Sequence, residues 1–285
     1  MFTIILVESS LELIPAELSK HQSVLAYSKK FKKNISNTLL DNSWHFGAMK
    51  GLENEIKRGR PDIIHLTLLS ICTSPAFYQN KIQVFVHTIN DEIISINNNT
   101  RLPKSYHRFQ GLMEKLFLTK KIESETEILM QMEHSSLSKL ISKIQPDEII
   151  GLTTQGQKTT FEKLTHQIKE NSCILIGGFQ KGHFNKETQK IIGTSLSIHD
   201  SSLEAHLVAS RLVYEYEKTI FIYVKFFLTL CSHSIAWLVF GVSNPVTRVR
   251  IPLTASNHLF LNNFNTLHNE KFQKRDSYET YGNSI

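Results

Sequence analysis

A chain of 285 residues with 41% hydrophobic and 20% charged residues has a globular composition and enough apolar material for a sizeable core. Its 32 basic against 26 acidic side chains leave a formal charge of +6, which favours an acidic partner, with RNA the first candidate. The three cysteines, Cys72, Cys173 and Cys231, are scattered without a CxxC pair or an even framework, so neither a zinc site nor a disulfide scaffold is indicated, and a reducing cytoplasm fits.

The opening "MFTIILVESSLELIP" lacks a basic start and a small-residue cleavage site. It reads as a buried first strand, "FTIILVE", rather than a signal peptide. Residues 11–30 have helical spacing. "KGLENEIKRGRPDIIHLTLLSI" reads as a helix, a basic turn around Gly59 and Pro61, then an apolar strand or helix. "QVFVHT" and "EIISI" pair as strands. The basic segment "NNTRLPKSYHRFQGLMEKLF" then opens a helix over 105–118. "SETEILMQM" is expected as a strand, "SLSKLISKI" as an amphipathic helix and "DEIIGLTT" as a strand. "TTFEKLTHQIKE" follows as a helix, "SCILIGGF" and "KIIGTSLSI" as strands, and "SSLEAHLVASRLVYEYE" as a long helix. Strands alternating with helices imply an α/β domain with a largely parallel sheet.

Three places carry possible chemistry. In the basic segment, Arg101, Lys104 and Arg108 are spaced by three and four residues just where a helix begins. A helix N-terminus prefers anions, so cations there point to an expected phosphate, or else form a solvated basic face. In "RGRPDIIH", Asp62 stands two residues after Arg60. It can hold the guanidinium for a phosphate, or the two form an ordinary surface ion pair. In "ILIGGFQKGHF", Gly177, Gly178 and Gly182 follow a buried strand, as in a nucleotide-type pocket or a plain turn. There is no GxGxxG and no GxxxxGK[ST], which argues against a Rossmann dinucleotide site and a P-loop. The ends of "IIGLTT" and "SLSIHDSSLEA" add Leu152 and residues 198–203 to the same adenosine-sized candidate. Asp200, Ser201 and Ser202 are also expected to cap the following helix, with Glu204 in its first turn. His65, His87 and His107 have no ligand spacing, so no metal is expected, and no nucleophile is nominated.

Taken in order, "RPDIIHLTLLS", "QVFVHT", "NNTRLPKSYHRFQGLMEKL", "IGGFQKGHF" and "LSIHDSSLEAHLVASRLVYEYE" resemble the archaeal branch of the nucleolar essential protein family, ribosome-biogenesis methyltransferases of the SPOUT class. The resemblance covers residues 1–219. Its most specific element is "TRLPKSYHRFQGLM", which matches the family pattern TR-x-P-[RK]-x-x-x-R-F-x-G-L-M. It implies an α/β fold with a C-terminal trefoil knot, one of the exceptions to the rule against knotted chains. It also implies a homodimer that transfers a methyl group from S-adenosylmethionine to N1 of a pseudouridine in small-subunit rRNA. Carried onto this chain, the cofactor residues are Leu152, Gly177, Gly182, Ile198, His199, Asp200, Ser201, Ser202 and Leu203. The RNA residues are Arg60, Asp62, Arg101, Lys104 and Arg108. The chain departs from the family at Gln180 and Lys181 before Gly182, at His199 in place of a common aromatic, and at Ser202 where many members have proline. The competing reading keeps the rRNA surface in a non-catalytic ribosome-assembly factor.

Past residue 219 the character changes. "TIFIYVKFFLTLCSHSIAWLVFG" has the length of a membrane span but is interrupted by Lys225 and "CSHS", so no membrane partner is expected. Back-translation of residues 231–255 offers another origin. "RVRIP" can be encoded by a stretch containing GGTTCGAATCC, the T-arm of a tRNA, and "AWL" by a D-loop pattern. "GVSNP" permits a closing anticodon arm, and "CSH" and "LTA" permit complementary acceptor strands. Residues 220–285 are therefore expected to be an unrelated tail, read through a neighbouring tRNA gene.

Overall fold

In the computed structural model, which describes residues 1–222, 237–238 and 249–250, the first strand is β1 (Phe2–Ser9), and all eight of its residues are buried. A central parallel strand is covered on both faces, which is why its sequence is a continuous apolar run. The helical spacing over 11–30 resolves into a 3-10 turn at Ala16–Leu18 and α1 (Gln22–Phe31). His21 separates them by accepting the Ser23 N–H on its ring nitrogen. Next come α2 (Asn42–Met49) and a 3-10 turn, Glu55–Lys57. In place of the helix expected before Gly59 there is only that turn. The apolar run after Pro61 is α3 (Pro61–Cys72), with proline in the first turn, where it sacrifices no hydrogen bond.

After the short α4 (Pro75–Tyr78), β2 (Ile82–Thr88) and β3 (Glu92–Ile96) form an antiparallel hairpin, with Asp91 at φ +56 in its turn. Then come α5 (Tyr106–Thr119), β4 (Lys121–Glu123), β5 (Ile128–His134) and α6 (Leu137–Ile144). The strand expected from residue 124 starts only at Ile128. The last series is β6 (Glu148–Lys158), α7 (Phe161–Gln167), β7 (Ser172–Gly177), α8 (Lys186–Ile191), β8 (Thr194–Ser197) and α9 (Ala205–Glu217). Lys190 and Ile191, expected in a strand, close α8 instead.

The eight strands form one sheet in the order β4-β5-β3-β2-β1-β7-β6-β8. The pairings from β2 through β1, β7 and β6 to β8 are parallel, and those from β2 outward to β4 are antiparallel. Alternate residues of β1 serve opposite faces. Ile5 and Val7 join Cys173, Leu175, Leu137 and Leu140 in a core under α6, while Phe2 meets Tyr216 of α9 edge-on at 4.6 Å. Helix α3 packs against both α5 and α9. The chain divides into two units, Met1–Thr219 and Ile220–Ile285. In the second unit Trp237–Leu238 pairs with Val249–Arg250 as two short antiparallel strands. The tRNA-derived reading of residues 231–255 otherwise falls outside the described residues. Among the described residues no helix is long and apolar enough to cross a membrane.

Candidate cofactor cavity and nucleic-acid interface

A cavity of about 440 Å³ opens at the carboxyl ends of β6, β7 and β8, where open α/β sheets place ligands. Its lining includes Leu152, Gly177, Gly182 and all six residues from 198 to 203, so the structure gathers every cofactor candidate read from the sequence around one space. Sequence reasoning missed Thr154, Ile176, Phe179, His183, Phe184 and Val208, which also line the wall.

The glycines have separate reasons. Gly182 sits at φ +107, a backbone conformation that side chains rarely adopt. At Gly177 an added Cβ would press the Phe179 ring at 3.0 Å. The neighbouring Gly178 stitches β7 to β1, giving its N–H to Val7 and accepting from Ser10 N–H, both at 2.8 Å.

The expected capping at 200–202 is corrected. Helix α9 starts only at Ala205, with Glu204 before it and no side-chain cap. Asp200 instead pairs with Lys158 at 2.7 Å, and the hydrogen bond and charge of that lysine hold its carboxyl below the usual range. His199 accepts the Ser201 N–H on Nδ1 at 3.0 Å, and Ser197 donates to His199 O. The polar run 197–204 therefore forms an internally bonded loop on the cavity wall rather than a helix start.

Two residues distant in sequence fix the opposite wall. Glu8, next to last in β1, sits at φ +52, a strained conformation for a non-glycine residue. Its carboxylate accepts from Lys57 Nζ at 2.5 Å and from Asn185 N–H at 2.8 Å. Lys57 also donates to His183 O at 2.5 Å and stands over the Phe179 ring at 4.4 Å. Glu8 is buried, and the Lys57 side chain is only 12% exposed. This latch ties the cavity loop to the sheet. Nothing in the sequence marks it, because Glu8 and Lys57 are 49 residues apart.

The cationic candidates lie around the starts of α3 and α5. Asp62 accepts from Arg60 Nε at 2.8 Å and from Nη2 at 2.7 Å, a two-point grip that fixes the guanidinium plane. These hydrogen bonds first, then the Asp62 charge and those of Glu204 and Asp41, raise the Arg60 pKa further.

Arg101 and Lys104 are exposed in the loop before α5, and Arg108 is exposed on its first turn. None of these three side chains has a hydrogen-bond or ion-pair partner among the described residues. Ser105 precedes α5 without a side-chain cap, and the first turn holds no acidic residue. That end therefore keeps its partial positive charge uncompensated by its own first turn.

The loop itself is rigidly seated. His65 bonds Pro103 O at 2.7 Å through Nε2 and stacks on Phe109 at 4.4 Å. Thr100 donates to Leu129 O, and Asn98 to Phe77 O and Ile82 O. Tyr106 donates to Asp41 at 2.5 Å, joined there by Gln110. Burial and the bonded Asp41 push the Tyr106 hydroxyl pKa far up, so it stays protonated as a structural donor. His65 and His87 each have a structural partner, Pro103 O and Asp91 respectively. No group of three or more possible metal ligands occurs among the described residues.

Comparison with known proteins follows the same boundaries. The family profile described as EMG1/NEP1 methyltransferase matches residues 4–217. The ribosomal RNA small subunit methyltransferase Nep1 of Pyrococcus furiosus is 35% identical over 217 residues, 75% of this chain and 95% of that protein. The protein of the same name from Saccharolobus solfataricus is 39% identical over 210 residues, 73% of this chain and 93% of its own. Among solved structures, Archaeoglobus fulgidus Nep1 bound to S-adenosylhomocysteine superposes with a TM-score of 0.69 at 36% identity, covering 76% of this chain and 97% of that one. With the profile spanning all but the ends of the first unit and these identities alongside it, the chain belongs to the EMG1/NEP1 methyltransferase family.

Proposed function

We propose that this protein methylates small-subunit ribosomal RNA, moving the methyl group of S-adenosylmethionine to N1 of a pseudouridine. The observation that carries the reading is a juxtaposition. A cavity at the ends of three parallel strands is walled in part by the start of α9, which packs against α3, and the N-terminus of α3 carries an arginine gripped by Asp62. The family relatives are named for methylating small-subunit rRNA, and the A. fulgidus structure holds S-adenosylhomocysteine, the cofactor without its methyl group.

The residues present fit such a cofactor. Leu152, Ile176, Ile198, Leu203 and Val208 supply apolar wall for a purine, and the positive-φ Gly182 leaves the backbone open to close approach. When bound, S-adenosylmethionine supplies an electrophilic methyl group. The chain positions the acceptor: Arg60, set by Asp62, and Arg101, Lys104 and Arg108 hold the phosphates around an unstacked base. The N1 proton leaves as the methyl bond forms, and positioning rather than a named base carries this step.

In this reading the segment from β6 onward is threaded as a trefoil knot. The protein acts as a homodimer, its activity resides in residues 1–219, and the remainder is the read-through tail. Sequencing the locus tests the last point, because a tRNA gene overlapping codons 231–255 is required.

Calorimetry tests the cofactor site. S-adenosylmethionine binds the wild-type chain, and Gly177→Val, which drives a branched side chain against Phe179, lowers affinity at least about tenfold. Equal affinity in the variant would remove the cavity from the account.

A further inference from the structure

We infer that the RNA track continues along the exposed face of α5, with the sugar-phosphate backbone lying directly on Gly111 and Lys115 holding the phosphate beyond it. The inference rests on the RNA reading above and extends it to two residues outside the cations already considered.

Gly111 lies inside α5, where glycine is the least favoured residue after proline. Most other described glycines have structural causes, although Gly47 of α2 meets only His21 Cε1, at an ordinary 3.6 Å. Gly51, Gly59 and Gly182 sit at φ +85, +64 and +107. A Cβ on Gly178 would meet Ser9 Oγ at 2.3 Å, and one on Gly156 would meet the Leu196 backbone at 2.5 Å. Gly111 has neither cause: its φ is not positive, and an added Cβ would meet nothing within 4 Å. The helix accepts a destabilising residue for which the described residues supply no compensation.

Its position supplies one. Helical spacing puts Arg108 one turn before Gly111 and Lys115 one turn after, and all three are exposed. The side chains of Arg108 and Lys115 have no hydrogen-bond or ion-pair partner among the described residues. The nearby carboxylate of Glu114 is already engaged by Lys33 at 2.7 Å and by the Leu39 N–H, so it does not neutralise the stripe. A gap between two free cations is the shape required for a polyanion to reach the helix surface. A second protein helix on this face would bury those cations unpaired, which opposes self-association there. Leu118, 55% exposed one turn further on, is the feature that would favour it.

The test uses the full chain and a labelled small-subunit rRNA hairpin containing pseudouridine. Gly111→Ala raises the melting temperature by about 2–4 °C, because alanine favours the helix. It also weakens hairpin binding about tenfold, because the methyl group holds the backbone off. Stability and affinity thus move in opposite directions, which loss of fold does not produce. Lys115→Ala lowers the salt slope of binding by about one phosphate. Hairpin affinity unchanged in Gly111→Ala overturns the inference. If Arg108→Ala still weakens binding in that case, the RNA reading survives; if Arg108→Ala is also silent, both fall. A fall in sedimentation mass on Gly111→Ala also overturns it and assigns the face to a second copy of the chain.

Discussion

The side chain of Asp62 is 40% exposed and that of its partner Arg60 is 26% exposed. An ion pair this wet contributes at most about 1 kcal/mol to folding. Its geometry has another use, since two hydrogen bonds fix the plane of a guanidinium that would otherwise sample many rotamers. Asp62→Asn therefore leaves the urea midpoint nearly unchanged and weakens rRNA binding about tenfold, a loss equivalent to about 1.4 kcal/mol. A large fall in stability with intact RNA binding would reverse the assignment. The pair was legible in the sequence because two residues of separation at a helix start leave Asp62 little choice of partner. Tyr106 was not. Its role depends on Asp41, 65 residues away, and no local pattern encodes that bond.

At the scale of elements, the latch between β1 and the cavity loop is a long-range tie to the site. Lys57→Met leaves the Glu8 carboxylate buried with only the Asn185 N–H, a loss of about 3–5 kcal/mol. The loop 179–184 loosens with it, so cofactor affinity falls as stability falls. Adding Glu8→Gln recovers part of the stability, which urea unfolding of the three variants would show; no recovery would mean that Lys57 acts by packing alone.

The same scale shows what sequence patterns can carry. β1 was readable because burial on both faces leaves an unbroken apolar run. The β2–β3 hairpin was readable from its turn. The start of α9 was misread because Asp200, Ser201, Ser202 and Glu204 have the composition of a capping box, and only the cavity loop's own hydrogen bonds decide otherwise. Lys190 and Ile191 were misread because a short apolar run fits the end of a helix as well as a strand.

For the molecule as a whole, topology brings the function together. β7 and β8 flank β6 in the sheet, so three loops separated in sequence by whole elements meet at one end. Helix α3, packed against α5 and α9, sets the cationic loops beside that end. In the proposed reading, methyl donor and RNA phosphates are served by elements that pack against one another. The most direct measurement gives the full chain labelled S-adenosylmethionine and two small-subunit rRNA hairpins that differ only in carrying pseudouridine or uridine at one position. The account predicts label in the pseudouridine hairpin alone, because only that base presents an N1–H. Label in both hairpins would contradict the proposed acceptor atom, and binding of both without label in either would contradict catalysis.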